Sequence, residues 1–276
     1  MSPISLTAAS DGTQLATYRW AMSQQRGPTR SVYFLHGLSE YAGRYEHVAG
    51  WLNARGWLVG AHDHRGHGRS EGKRATLRQS DDLIIDAEQQ ISAYAEETGA
   101  PPVLLGHSMG GLVAAQVALR ARVPLAGLVL VSPALRLHIT RSQRLLASFL
   151  SNIVPNLRVR HGIRAQKLSH DQVVSDAYLN DTLVNRLITP RLANFIERSG
   201  PEVIRLAGSL PVRTLLLVAG DDHVVDSAGS RAFADAAPPG KLALRWYDNA
   251  WHELLNESPE IATPVYGDLD KWLAAL

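Results

Sequence analysis

The chain has 276 residues, enough for one large α/β domain with an insertion or for two small domains. Hydrophobic residues make up 45% and charged residues 20%, and the net charge of +2 is scattered without runs, so no nucleic-acid partner is expected. The absence of cysteine excludes disulfides, thiolate catalysis and cysteine-based metal sites, and it suits a reducing compartment.

The N-terminal segment MSPISLTAASDGTQLATYRW lacks a basic start followed by an apolar core, so no signal peptide is expected. No stretch approaches about 18 uninterrupted apolar residues, so no transmembrane helix is expected and a cytoplasmic location follows. Residues 4–9 and 14–20 read as two strands joined by the turn signal Asp11-Gly12. A polar loop over 23–29 leads to a buried strand at 31–35, which ends at His36-Gly37-Leu38. Residues 45–54 have helical spacing. An apolar strand at 57–61 runs into Asp63-His64-Arg65-Gly66-His67-Gly68, and residues 81–97 form an amphipathic helix with Asp81 or Asp82 near its start.

Next come a strand ending at Leu105, a helix over 112–119, and a strand at 126–131 stopped by Ser132-Pro133. The rhythm then breaks. Residues 135–205 show helical patterns at 142–153, 176–184 and 190–198 and no convincing buried strand. It resumes with a strand at 212–219, a helix from about Ser227, a strand at 242–247 and a helix over 261–273. Nearly continuous apolar strands alternating with helices predict an α/β fold, with a mostly parallel central sheet and helices on both faces. Residues 1–134 and 206–276 form its core, and residues 135–205 form a helical cap inserted on top.

Gly106-His107-Ser108-Met109-Gly110 joins a strand to a helix and matches G-x-S-x-G. In that motif the serine sits at the apex of a strained turn, and the helix N-terminus behind it offers N–H groups to a developing oxyanion. A serine hydroxyl needs a base and an acid. Asp221, Asp222 and Asp226 all follow the strand at 212–219. Asp222 is selected because it lies in Gly220-Asp221-Asp222-His223-Val224-Val225 at the strand's C-terminal end, while Asp221 and Asp226 suit turn and helix-cap roles. His252 follows the last strand, giving the order Ser, Asp, His. The oxyanion N–H groups are assigned to Met109 and to Leu38, in the loop after the earlier strand.

Four blocks carry a family resemblance: His36-Gly37 through Glu40 to Arg44-Tyr45; Asp63 through Gly72; Gly106 through Gly111; and Asp222 with His252. With them, the chain resembles the monoacylglycerol lipase and lysophospholipase group of serine α/β-hydrolases from about residue 10 to its end. The resemblance implies the α/β-hydrolase fold and hydrolysis of monoacylglycerols to glycerol and fatty acid through an acyl-enzyme on Ser108, with no cofactor and no metal. It implies a cap that holds the acyl chain in an apolar tunnel and touches the membrane surface transiently, with residues 145–150 facing lipid. The alternative for 145–150 is an amphipathic helix packed on the core. A pocket for the polar end of the lipid ester substrate maps onto Glu40, Arg44 and Tyr178; a helix-start salt bridge is the alternative for the first two. A broad carboxylesterase or lysophospholipase would use the same triad.

The animal members carry a second histidine three residues after the catalytic one, where this chain has Leu255, so the alcohol half of the substrate stays open. Asp63, His64 and His67 could suggest a metal-binding run, but no H-E-x-x-H helix holds them. A non-catalytic binding module would need no complete triad, and a dehalogenase or epoxide hydrolase would carry aspartate at position 108.

Overall fold

The computed structural model describes residues 4–20 and 30–276. The loop expected over 23–29 lies outside the described residues. Strands β1 (Ile4–Ala8) and β2 (Gln14–Trp20) form an antiparallel hairpin, turned at Gly12 with φ +87°. Then follow β3 (Ser31–Leu35), a 3₁₀ turn at Ala42–Tyr45, α1 (Glu46–Asn53), β4 (Leu58–His62), α2 (Asp82–Thr98), β5 (Val103–His107), α3 (Met109–Arg120) and β6 (Gly127–Val131). Strands β3, β5 and β6 are buried at every position, as two covered faces require.

Helix α4 (Arg141–Ile153) is started by a reciprocal cap: Gln143 N–H donates to Thr140 Oγ1, and Thr140 N–H donates to Gln143 Oε1. After β7 (Val159–Arg160), α5 (Gln172–Asn180) is capped by Asp171, and β8 (Leu187–Ile188) pairs antiparallel with β7. This ribbon is too short and too exposed to leave a trace in the sequence pattern. Helix α6 (Pro190–Leu206) is much longer than the expected 190–198. It seats Leu192, Phe195, Ile196 and Val203 in the same apolar cluster as Leu112, Val113 and Val117 of α3. The chain ends with β9 (Thr214–Ala219), α7 (Ala228–Ala236), β10 (Leu242–Tyr247) and α8 (Pro259–Ala274).

The eight long strands make one sheet in the order β1-β2-β4-β3-β5-β6-β9-β10. Strand β2 runs antiparallel to β1 and β4, and every pairing from β4 to β10 is parallel. Apolar clusters cover both faces, one under α2, α3 and α6 and the other under α1 and α8. This is the α/β-hydrolase arrangement. The C-terminal ends of β3, β5, β9 and β10 open on the same edge, where sites in such sheets gather. Among the described residues no helix is long and apolar enough to cross a membrane.

Candidate active site

Ser108 sits between β5 and α3 with φ 54° and ψ −118°, a conformation an L-residue holds only when its surroundings enforce it. Its N–H donates to Val131 O at 3.0 Å, and its carbonyl accepts from Ala134 N–H at 3.0 Å, so the sheet clamps both sides of the turn. Two glycines make the turn passable. A Cβ on Gly110 would strike the carbonyls of Leu35 and His36, and one on Gly106 would strike the carbonyl of Gly110. Helix α3 starts at Met109, immediately after the serine and earlier than the 112 expected.

His252 Nδ1–H donates to Asp222 Oδ2 at 2.7 Å, which leaves Nε2 to accept from the Ser108 hydroxyl at 2.8 Å. All three side chains are buried. Asp222 Oδ1 accepts from the N–H groups of Val224 and Val225 at 2.8 and 2.9 Å. Burial pushes this carboxyl up, but the charge of His252 and these hydrogen bonds outweigh it and hold it below its ordinary range. Burial alone would lower His252; Asp222, and then Glu253 and Glu40, bring it above the usual histidine value. The competing carboxylates go elsewhere: Asp221 accepts from Trp251 Nε1 at 3.2 Å, and Asp226 accepts from Ala228 N–H at 3.0 Å.

The loop after β3 is held by a buried ion network. Glu40 Oε1 accepts from Gly37 N–H at 2.6 Å and from the Tyr45 hydroxyl at 2.8 Å, while Oε2 meets Arg44 Nη1 at 2.5 Å. The Arg44 guanidinium also grips Glu253 through two bonds, at 3.0 and 2.9 Å. Burial would raise Glu253; Arg44 reverses this and takes it down to about 2. Burial holds Glu40 above its ordinary value against the pull of Arg44. Arg44 is therefore occupied by two carboxylates, and it lies over the Tyr178 ring at 5.2 Å. The helix-start ion pair is what the geometry gives this arginine.

Beside Ser108 lies a cavity of about 20 Å³, lined among others by Leu38, Glu40, Ile163, Leu168, Tyr178 and Val224. Leu38, Glu40 and Tyr178 thus sit where the sequence put them, whereas Arg44 is not in the lining. Leu38 donates its N–H to no group among the described residues, and Met109, as the first residue of α3, has no intrahelical acceptor for its own. The Met109 side chain is packed in the core.

Sequence reasoning missed Glu253, Ile163, Leu168 and Val224. For Glu253 a signal existed, since an acid adjoining a buried histidine needs a buried cation. Leu255 packs in the second apolar cluster, and its carbonyl accepts from His47 and Tyr266 at 3.1 Å each. Asp63, singled out with His64 and His67, accepts from Ala42 N–H, Arg69 N–H and the Tyr18 hydroxyl and so ties the loop to β2 and the 3₁₀ turn.

A family model described as "Serine aminopeptidase, S33" matches residues 26–259. Fold and family together define a serine ester hydrolase. The human monoglyceride lipase is 32% identical over 256 residues, covering 90% of this chain and 83% of the relative. The monoacylglycerol lipase of Mycolicibacterium smegmatis is 35% identical over 258 residues, covering 90% and 89%. A crystal structure of the Paleococcus ferrophilus monoacylglycerol lipase matches with a TM-score of 0.84 at 28% identity, over 95% of this chain and 98% of that one. The chain belongs to the monoacylglycerol lipase group of the serine α/β-hydrolases.

Proposed function

We propose that the protein cleaves the carboxylic ester bond of monoacylglycerols, releasing glycerol and fatty acid through an acyl-enzyme on Ser108. The observation that carries this reading is the unbroken hydrogen-bond chain from Ser108 through His252 to Asp222, at 2.8 and 2.7 Å inside a buried cavity. His252 takes the Ser108 proton as Oγ attacks the ester carbonyl. The N–H groups of Leu38 and Met109 receive the oxyanion, and His252 returns the proton to the departing glycerol oxygen. Water, deprotonated by the same His252, then splits the acyl-enzyme. Asp222 fixes the imidazole tautomer and stabilises its cation.

Residues 135–205 act as the cap. Ile163, Leu168 and Tyr178 bring it down onto the cavity, and Glu40 and Tyr178 face the polar end of the substrate. Leu145, Leu146, Phe149 and Ile153 lie on one face of α4 at 71, 55, 61 and 60% exposure, and this face touches the lipid surface.

The test is glycerol release from monoacylglycerols of graded chain length, beside matched p-nitrophenyl esters. A preference for medium or long monoacylglycerols supports the reading. Equal or better turnover of short simple esters replaces it with a general carboxylesterase. Ser108→Ala is expected to lose several orders of magnitude in kcat with stability little changed, and near-normal turnover by this variant would sink the assignment.

A further inference from the structure

The cap loop above His252 borders a second cavity, of about 230 Å³, lined by Gly162, Arg164, Lys167, His223 and Val224. Val224 also lines the small cavity at Ser108, and so does Ile163, which stands between Gly162 and Arg164 in the chain. The two spaces are therefore neighbours across Val224 and the Ile163 segment. The outer one is large enough for on the order of seven waters at about 30 Å³ each.

Its lining carries two permanent cations and no carboxylate. Among the described residues neither Arg164 nor Lys167 has a salt-bridge partner. The sequence supplies no nearby acid in this part of the cap, since no Asp or Glu occurs between Glu97 and Asp171. Lys167 Nζ stands 4.5 Å from the centroid of the Trp251 ring, and Trp251 directly precedes His252. The acid beside His223 is Asp221, at 3.5 Å, and it also accepts from Trp251 Nε1.

His252 must hand its proton to the leaving oxygen, so the alcohol half of the ester lies on the His252 side. Val224, two residues after Asp222, is on that side too. We propose that the outer cavity is an anion subsite for the alcohol half of the ester, and that the substrates include monoacyl glycerolipids carrying a phosphate on the glycerol. This rests on ester hydrolysis at Ser108. The bond cleaved is the carboxylic ester; water supplies the acyl hydroxyl and the proton on the leaving oxygen, and the phosphate stays on the departing glycerol. Arg164 and Lys167 meet the phosphate oxygens with charge-assisted hydrogen bonds.

The experiment compares kcat/KM for 1-dodecanoylglycerol and 1-dodecanoylglycerol 3-phosphate in the wild type and in Arg164→Ala/Lys167→Ala. The ratio of phosphorylated to neutral substrate is expected to fall about tenfold in the double variant. Calorimetry with glycerol 3-phosphate, expected to bind the wild type more tightly than the double variant, reports on the subsite without turnover. An unchanged ratio, or equal binding by the two proteins, overturns the proposal. Inorganic phosphate binding as tightly as glycerol 3-phosphate also overturns it, by assigning the cavity to free anions. Hydrolysis of the neutral ester but not of the phosphorylated one rejects the substrate class alone. Hydrolysis of neither ester rejects the reaction, and calorimetry then decides the anion site.

Discussion

The proton on Ser108 Oγ has His252 Nε2 as its acceptor, and that nitrogen is available because Asp222 claims the other. His252 must be neutral to act, and its pKa lies above the ordinary value. The acidic limb of kcat/KM is therefore expected at a pKa above the usual histidine value of about 6.5, with activity rising as pH increases through it. Asp222→Asn removes the charge that raises His252 and lets the wrong tautomer form. A fall of about 10⁴-fold in kcat is expected, with the limb moved to lower pH; a limb that stays in place would show that Asp222 does not set the base. Arg44 makes a different kind of contribution. Arg44→Met would leave Glu40 and Glu253 buried without a cation, which costs about 3–5 kcal/mol, and urea unfolding measures the loss. The triad was legible because each member follows a strand end in a fixed order. The Arg44–Glu253 pair was not, because it joins residues 209 positions apart.

At the scale of elements, strands buried on both faces announce themselves as apolar runs, so β3, β5, β6 and β9 were readable nearly to the residue. Helix α5 lies about one turn earlier than its apolar spacing implied, because the Asp171 side chain accepts from Val173 N–H and fixes the start. Helix α6 runs through Ser199, Gly200 and Pro201, which read as a stop. Tertiary packing overrides the local signal here: Gly200 lies so close to the Leu135 backbone that a Cβ would collide with its carbonyl. Helix α4 buries none of its residues, so core packing does not account for its apolar face. Leu145→Ser/Phe149→Ser is expected to weaken partitioning onto phosphatidylglycerol–phosphatidylcholine vesicles by about tenfold in co-sedimentation. Unchanged partitioning would remove the lipid-contact role from this helix.

For the molecule as a whole, pH acts through a set of buried histidines. Burial pushes His67 down to about 4, helped by the charge of Arg74 and opposed by its hydrogen bond to Arg65 O. Burial and the charge of His252 take His107 to about 3. A histidine whose folded pKa lies below its unfolded value binds protons more readily when unfolded, so its stability is complete above about pH 6.5 and is lost as pH falls toward the folded value. Burial raises Asp63 to about 6, which works in the opposite direction, so the contribution of one histidine has to be isolated by difference. Unfolding free energy is expected to fall more steeply in the wild type than in His67→Phe between about pH 6 and 4, by about 1.4 kcal/mol per pH unit. Parallel profiles would show that His67 does not titrate on unfolding.

The cavity at Ser108, about 20 Å³, has room for roughly one water and none for an acyl chain. The protein therefore lives mostly in a form that cannot take its substrate, and measured affinity contains the rarity of the open form as a multiplier. If one molecule in a hundred is open, apparent binding is weaker than intrinsic binding by about a hundredfold. A surface that favours the open form would then raise turnover at low substrate concentration without touching substrate or triad, and kinetics in solution and on vesicles would differ by that ratio.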